Sequence, residues 1–173
     1  VGYQASLNNL SATNTVAVGY NAGSGSDLFN SQGYTITGYQ AGDNIGTASD
    51  YNTFYGYQSG SAVTTGYGNI LIGPSVTASN LTTGNGNIGL GYNTFFPSAT
   101  ANNQLNIGGL IFGTLPATST SLVANPSGTI GIGTTTPNWT LQLASSSMPQ
   151  LALSDTTLTS NHLPKYRHIG SQS

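Results

Sequence analysis

The sequence contains no cysteine and no glutamate, and only six of its 173 residues carry a formal charge. Those six are Asp27, Asp43, Asp50, Asp155, Lys165 and Arg167, and the 104 residues from Tyr51 to Ser154 include none. An ordinary soluble domain is about a quarter charged. Without cysteine there is neither a disulfide framework nor a thiolate metal site. Two cations are too few to neutralise a run of phosphates, so nucleic acid is not expected as a partner. Solvated helical bundles and coiled coils need Glu, Lys and Arg on their outer faces, and these are missing. No apolar run approaches the ~20 residues of a membrane-spanning helix. Val1 to Leu10 show no basic stretch followed by an apolar one, and there is no initiator Met. We therefore expect a chain without a signal peptide, either a mature product or an excised piece.

What fills the chain is small and polar: 95 residues are Gly, Ser, Thr, Asn or Gln. Leu, Ile, Val and Phe total 37, close to the lower limit for a folding chain. Disorder usually couples low hydrophobicity to high net charge, whereas the net charge here is −2. Ten Tyr and five Phe also argue for packing.

A signature Gly-Tyr-(Gln/Asn) recurs along the chain, at Gly2-Tyr3-Gln4, Gly19-Tyr20-Asn21, Gly38-Tyr39-Gln40, Gly56-Tyr57-Gln58 and Gly91-Tyr92-Asn93. Degenerate copies stand at Gly73-Pro74-Ser75 and Gly108-Gly109-Leu110, so the key glycines are separated by 17, 19, 18, 17, 18 and 17 residues. A second Gly follows at Gly23, Gly42 and Gly60. Before the key Gly come alternating apolar pairs: Val16 and Val18, Ile70 and Ile72, Ile88 and Leu90, Leu105 and Ile107. Alternation with period two places each pair on one face of a short strand. The copies before Gly38 and Gly56 are weaker, with Thr35 and Thr37, then Thr53 and Tyr55. An Asn commonly opens the strand, as in Asn14, Asn52, Asn69 and Asn87, and Gly-, Ser- and Thr-rich turns lie between.

A unit of this length cannot bury its own apolar face, but stacked copies can. We therefore expect an all-β fold: a parallel β-roll or solenoid of six to seven coils, with Asn, Thr and Tyr ladders and a Gly at each corner. The core of so thin a coil is narrow, and the two inward residues expected from each strand are too few for a stable monomer. The apolar pairs are accordingly expected on an association axis where several chains meet.

Asn14-Thr15-Val16-Ala17-Val18-Gly19-Tyr20-Asn21-Ala22-Gly23 resembles the head repeats of trimeric autotransporter adhesins, and the likeness covers roughly residues 1–113. The resemblance implies a left-handed parallel β-roll, three chains about one axis, exposed at a cell surface. Asn125-Pro126-Ser127-Gly128-Thr129-Ile130-Gly131-Ile132-Gly133-Thr134-Thr135-Thr136-Pro137 is similar to a connector of phage tail fibres and large bacterial surface fibres. That likeness implies a strand after it, which Trp139, Leu141 and Leu143 would supply. Pro149 to Asp155 looks like the first strand of a further module. The expected division is thus a β-roll over 1–113, a connector over 114–137 and a β-rich piece over 138–173.

The candidates for chemistry are weak. Gly84-Asn85-Gly86-Asn87-Ile88-Gly89 fits Gly-x-Gly-x-x-Gly, but no helix with an acidic partner follows. Asp27, Asp43 and Asp50 fall in different registers of the repeat and read as turn residues, so neither a glycosidase pair nor a calcium site is expected. His162 and His168 beside Lys165 and Arg167 read as a solvated end, or as a docking patch for another subunit. The Tyr residues after the repeat Gly are expected to form a corner ladder, with sugar stacking as the alternative. Asn9, Asn80 and Asn138 stand in Asn-x-(Ser/Thr) sequons, as composition alone would produce.

These readings converge on a non-enzymatic extracellular fibre subunit at a cell or virion surface, without cofactor or metal. Its main partner would be itself, as a homotrimer and in a head-to-tail filament joined by the C-terminal segment. The competing function is an adhesin or tail-fibre tip that recognises surface glycans. An ice-binding solenoid would need a Thr-x-Thr face in every coil, and only Thr35-Ile36-Thr37 offers one. A β-helix polysaccharide lyase is opposed by the scattered carboxylates.

Overall fold

The strands of the repeat are only three or four residues long because a corner of unusual backbone stands on either side. The computed structural model describes residues 1–77, 80–116 and 128–145. Its strands are β1 (Val16–Val18), β2 (Thr35–Thr37), β3 (Thr53–Tyr55), β4 (Ile70–Ile72), β5 (Ile88–Leu90), β6 (Gln104–Ile107), β7 (Ile111–Thr114), β8 (Thr129–Ile132) and β9 (Leu141–Leu143). There is no helix among the described residues. All nine strands lie side by side in chain order in one sheet.

β1 to β6 pair in parallel and in strict register: Val16 lies beside Thr35, Thr35 beside Thr53, Thr53 beside Ile70, Ile70 beside Ile88 and Ile88 beside Leu105. One coil therefore separates each strand from the next, which makes a β-solenoid of about five turns rather than the six to seven coils expected. The spacing varies, but the register does not. The extra residues of the longer repeats are absorbed in the turns of the far wall.

Four columns of positive φ set the cross-section, the fourth of them missing from the last coil. Two residues before the register positions Val16, Thr35, Thr53, Ile70, Ile88 and Leu105 stand Asn14, Gly33, Tyr51, Gly68, Gly86 and Asn103, with φ between 56° and 68°. Directly after the strand come Gly2, Gly19, Gly38, Gly56, Gly73 and Gly91, with φ between 123° and 139°, a region essentially closed to other residues. Two residues on, Gln4, Asn21, Gln40, Gln58, Ser75 and Asn93 have φ between 49° and 56°. The fourth column holds Ser6, Gly23, Gly42, Gly60 and Thr77. Backbone hydrogen bonds continue from coil to coil through these corners, as from Gln40 N to Tyr20 O and from Gly42 N to Ser59 O. The corners thereby satisfy their polar groups without solvent.

The core was not visible in the apolar pairs. It is built from the middle residue of each strand, which points into the coil: Ile36, Phe54 and Leu71 are fully buried, and Ala17 packs against them. Phe29, Ile45, Val63, Val76, Leu81 and Phe96 meet them from the other walls. At Gly89 a methyl group would press on Val76 and Phe96, whose side chains already fill that level. Asn106 closes the last coil, donating to Phe95 O and accepting from Gly109 N.

At Gly108 the pattern stops. Its φ is 60°, not that of the other corner glycines, and Gly109 follows at 71°. Together with Leu110 they turn the chain into an antiparallel pairing, Ile107 with Ile111. β8 pairs antiparallel with β7 and parallel with β9. The sheet thus runs through the segment expected as a connector. Trp139 lies just before β9, and the strand proposed within 149–155 falls outside the described residues.

Candidate interaction surface

The strand residues flanking the buried middle position point away from the coil, not inward as expected, because side chains alternate along a strand and the middle one fills the interior. Their columns read Val16, Thr35, Thr53, Ile70, Ile88, Leu105 and Val18, Thr37, Tyr55, Ile72, Leu90, Ile107. Val16, Val18, Ile70, Ile72 and Ile107 are exposed, at 50, 40, 39, 41 and 37 % of their surface. Ile88, Leu90 and Leu105 are half-buried. The eight aliphatic residues singled out from the sequence therefore share one outer face, on β1 and on β4 to β6, without a charge. Monomeric proteins seldom leave such a stripe uncovered. Thr35, Thr37, Thr53 and Tyr55 form a more polar belt across its middle.

Around the glycine corner, Tyr3, Tyr20, Tyr39 and Tyr57 stack. Successive ring centroids are 5.3 Å apart and the planes differ by 17°, 13° and 6°. Each face covers the next, so the column turns ring edges outward. Pro74 occupies the next position and ends the column, leaving Tyr92 alone and 78 % exposed.

Before the strands runs a buried amide ladder. Asn52 Oδ1 accepts from Asn69 N at 2.9 Å, Asn69 Oδ1 from Asn87 N at 2.9 Å, and Asn87 Oδ1 from Gln104 N at 2.7 Å. The Nδ2 groups of Asn52 and Asn69 donate to Gly66 O and Gly84 O. Asn14 does not belong to this ladder. It stands one position earlier, at a positive-φ corner, and in β2's coil the equivalent position is held by buried Tyr34, whose hydroxyl meets Ser6 Oγ and Asn9 Nδ2.

The carboxylates do not converge. Asp27 and Asp43 occupy a bend and a turn, and Asp50 Oδ1 accepts from Gln32 N at 2.8 Å in the same way that Asn85 Oδ1 accepts from Tyr67 N. Among the described residues no group of three His, Asp, Glu or Cys could hold a metal. Burial raises the Asp43 carboxyl above its ordinary pKa, against a smaller lowering by a backbone hydrogen bond. Two sequons are structurally occupied, since Asn9 Nδ2 donates to Ser31 O and Asn80 Nδ2 to Phe96 O. Gly84 to Gly89 lead into β5, not into a helix. Asp155, His162, Lys165, Arg167 and His168 lie outside the described residues. No helix among the described residues is long and apolar enough to cross a membrane.

Sequence reading missed the middle-strand core and the part of Asp50 in a backbone ladder. The signal for the second was its position, three residues before the strand, shared with Gln32, Asn85 and Asn102. Comparison with protein families, with curated proteins and with solved structures returns no match.

Proposed function

We propose that this chain is a structural subunit of an extracellular fibre, in which copies associate through the outer strand face into a rigid rod. The observation that carries this reading is the uncharged outer face of β1 to β6, aliphatic on β1 and on β4 to β6 and exposed or half-buried although the chain has a core of its own. A second copy is the occupant that fits best. The same face on each protomer sets aliphatic levels against aliphatic levels and the Thr belt against itself, as symmetric association requires. Three copies about an axis follow from the likeness to adhesin head repeats. The role is mechanical: backbone and amide ladders stiffen the coil. A glycan-binding tip is less well supported, because the Tyr rings cover one another's faces where a sugar would stack.

Replacing Ile72 or Ile107 by Asp tests this. A buried, unpaired charge in each subunit costs several kcal/mol per chain. Light scattering is expected to show wild-type oligomers and monomeric variants with unchanged circular dichroism. Variants that keep the wild-type mass would remove the outer face from the interface.

A further inference from the structure

The Tyr column has a chemical consequence that its packing role does not require. Tyr3, Tyr20, Tyr39 and Tyr57 stand in three stacked pairs at 5.3 Å, each ring 44 to 65 % exposed. Tyr51, Tyr55, Tyr67 and Tyr92 are as exposed or more so, yet none stacks on another Tyr. Phenols are also the only side chains through which the described coils could be joined covalently by oxidation to one another. The sequence has no cysteine for disulfides.

We propose that this ladder is a site of oxidative phenol coupling, in which adjacent coils of one chain are stapled by dityrosine when a haem peroxidase and hydrogen peroxide are supplied. Each of two neighbouring phenols gives up one electron and one proton. The two phenoxyl radicals join through a new bond between ring carbons ortho to oxygen, and each ring regains its aromaticity by moving the ortho hydrogen to the phenol oxygen. One peroxide takes up the two electrons and two protons and leaves as two waters. Pairing in the fold favours coupling within the chain, because a radical on Tyr39 has a phenol on either side of it and needs no encounter with another molecule. The inference rests on the geometry of a single chain and is independent of association.

The test treats the intact protein with horseradish peroxidase and hydrogen peroxide, and maps coupled peptides by mass spectrometry. Pepsin is the protease of choice, since no Lys or Arg precedes Lys165. Links Tyr3–Tyr20, Tyr20–Tyr39 and Tyr39–Tyr57 are expected within monomer-mass chains, with dityrosine fluorescence. Tyr39→Phe keeps the ring and leaves one stacked pair of three, so ladder coupling should fall to about a third while Tyr92→Phe leaves it unchanged. Coupling spread evenly over Tyr51, Tyr67 and Tyr92, coupling only between chains, or no dityrosine in the folded protein would each overturn the proposal.

Discussion

From β1 to β6 like lies on like: corner glycine on corner glycine, Asn52 on Asn69 on Asn87, Tyr20 on Tyr39 on Tyr57. From β7 onward the direction reverses twice, and Asn106 faces Phe112 while Gly113 faces Ile130. The first region multiplies whatever property a residue has, and the second does not. A charge repeated in a parallel column would sit about 4.8 Å from its own copy, costing roughly 1 kcal/mol per neighbour even at the dielectric of water. An amide avoids this because it donates to one neighbour and accepts from the other. That is a physical reason for a coil rich in Asn, Gln, Ser and Thr and nearly free of charge. Among the described residues of β7 to β9 the strands pair through the backbone without a side-chain amide ladder, and Ile130, Trp139 and Leu141 remain exposed.

Glycine separates the two regions most sharply. In Gly38→Ala the new methyl would fall on the carbonyl of Gly56, at a backbone angle of 139°. We expect a loss of more than about 4 kcal/mol or failure to fold. In Gly109→Ala, at φ 71° with no heavy atom within 4 Å, about 1–2 kcal/mol should be lost. Denaturant melts of both variants read the difference, and equal losses would mean that the corner column is not the constraint.

The amides come next. Asn69→Ala strips the acceptor from Asn87 N and the donor from Gly84 O, both inside the coil. Leaving such groups unpaired should cost about 2–4 kcal/mol. Gln142→Ala removes one exposed contact, to Asn138 N, and should cost less than about 0.5 kcal/mol.

Much of the solenoid was legible because its corners need residues that tolerate positive φ, so Gly and Asn recur at a fixed period. The core was not legible. Its inner column runs Ala17, Ile36, Phe54, Leu71, Gly89, Asn106, so no single residue type repeats, and at Gly89 it is Val76 and Phe96 that fill the space. Gly108 misled for another reason. It stands 17 residues after Gly91 and imitates a further repeat, while Gly109 beside it turns the chain back. The exposed stripe was legible as an alternation, although alternation alone does not tell the inside of a coil from the outside.

Two smaller effects sharpen the comparison within the coil. Thr77 sits at φ 53°, where Gly23, Gly42 and Gly60 stand in other coils, with a buried hydroxyl that has no partner. Thr77→Gly should raise stability by about 1 kcal/mol, measured by thermal melting. Asp43 gives the smallest effect. Its folded pKa is raised, so the folded state binds more protons than the unfolded one above pH 3.8. Stability should therefore rise slightly on acidification from neutral toward that value, and Asp43→Asn should abolish the slope.

The outer face itself is best tested by cross-linking, because a chain without cysteine gives a clean background. Thr37→Cys places one thiol at a half-buried position of the outer strand columns, and Leu28→Cys places one at an exposed residue outside them. Under mild oxidation the account predicts disulfide-linked dimers from Thr37→Cys and monomers from Leu28→Cys. Equal dimer yields from the two variants, or none from Thr37→Cys, would contradict it.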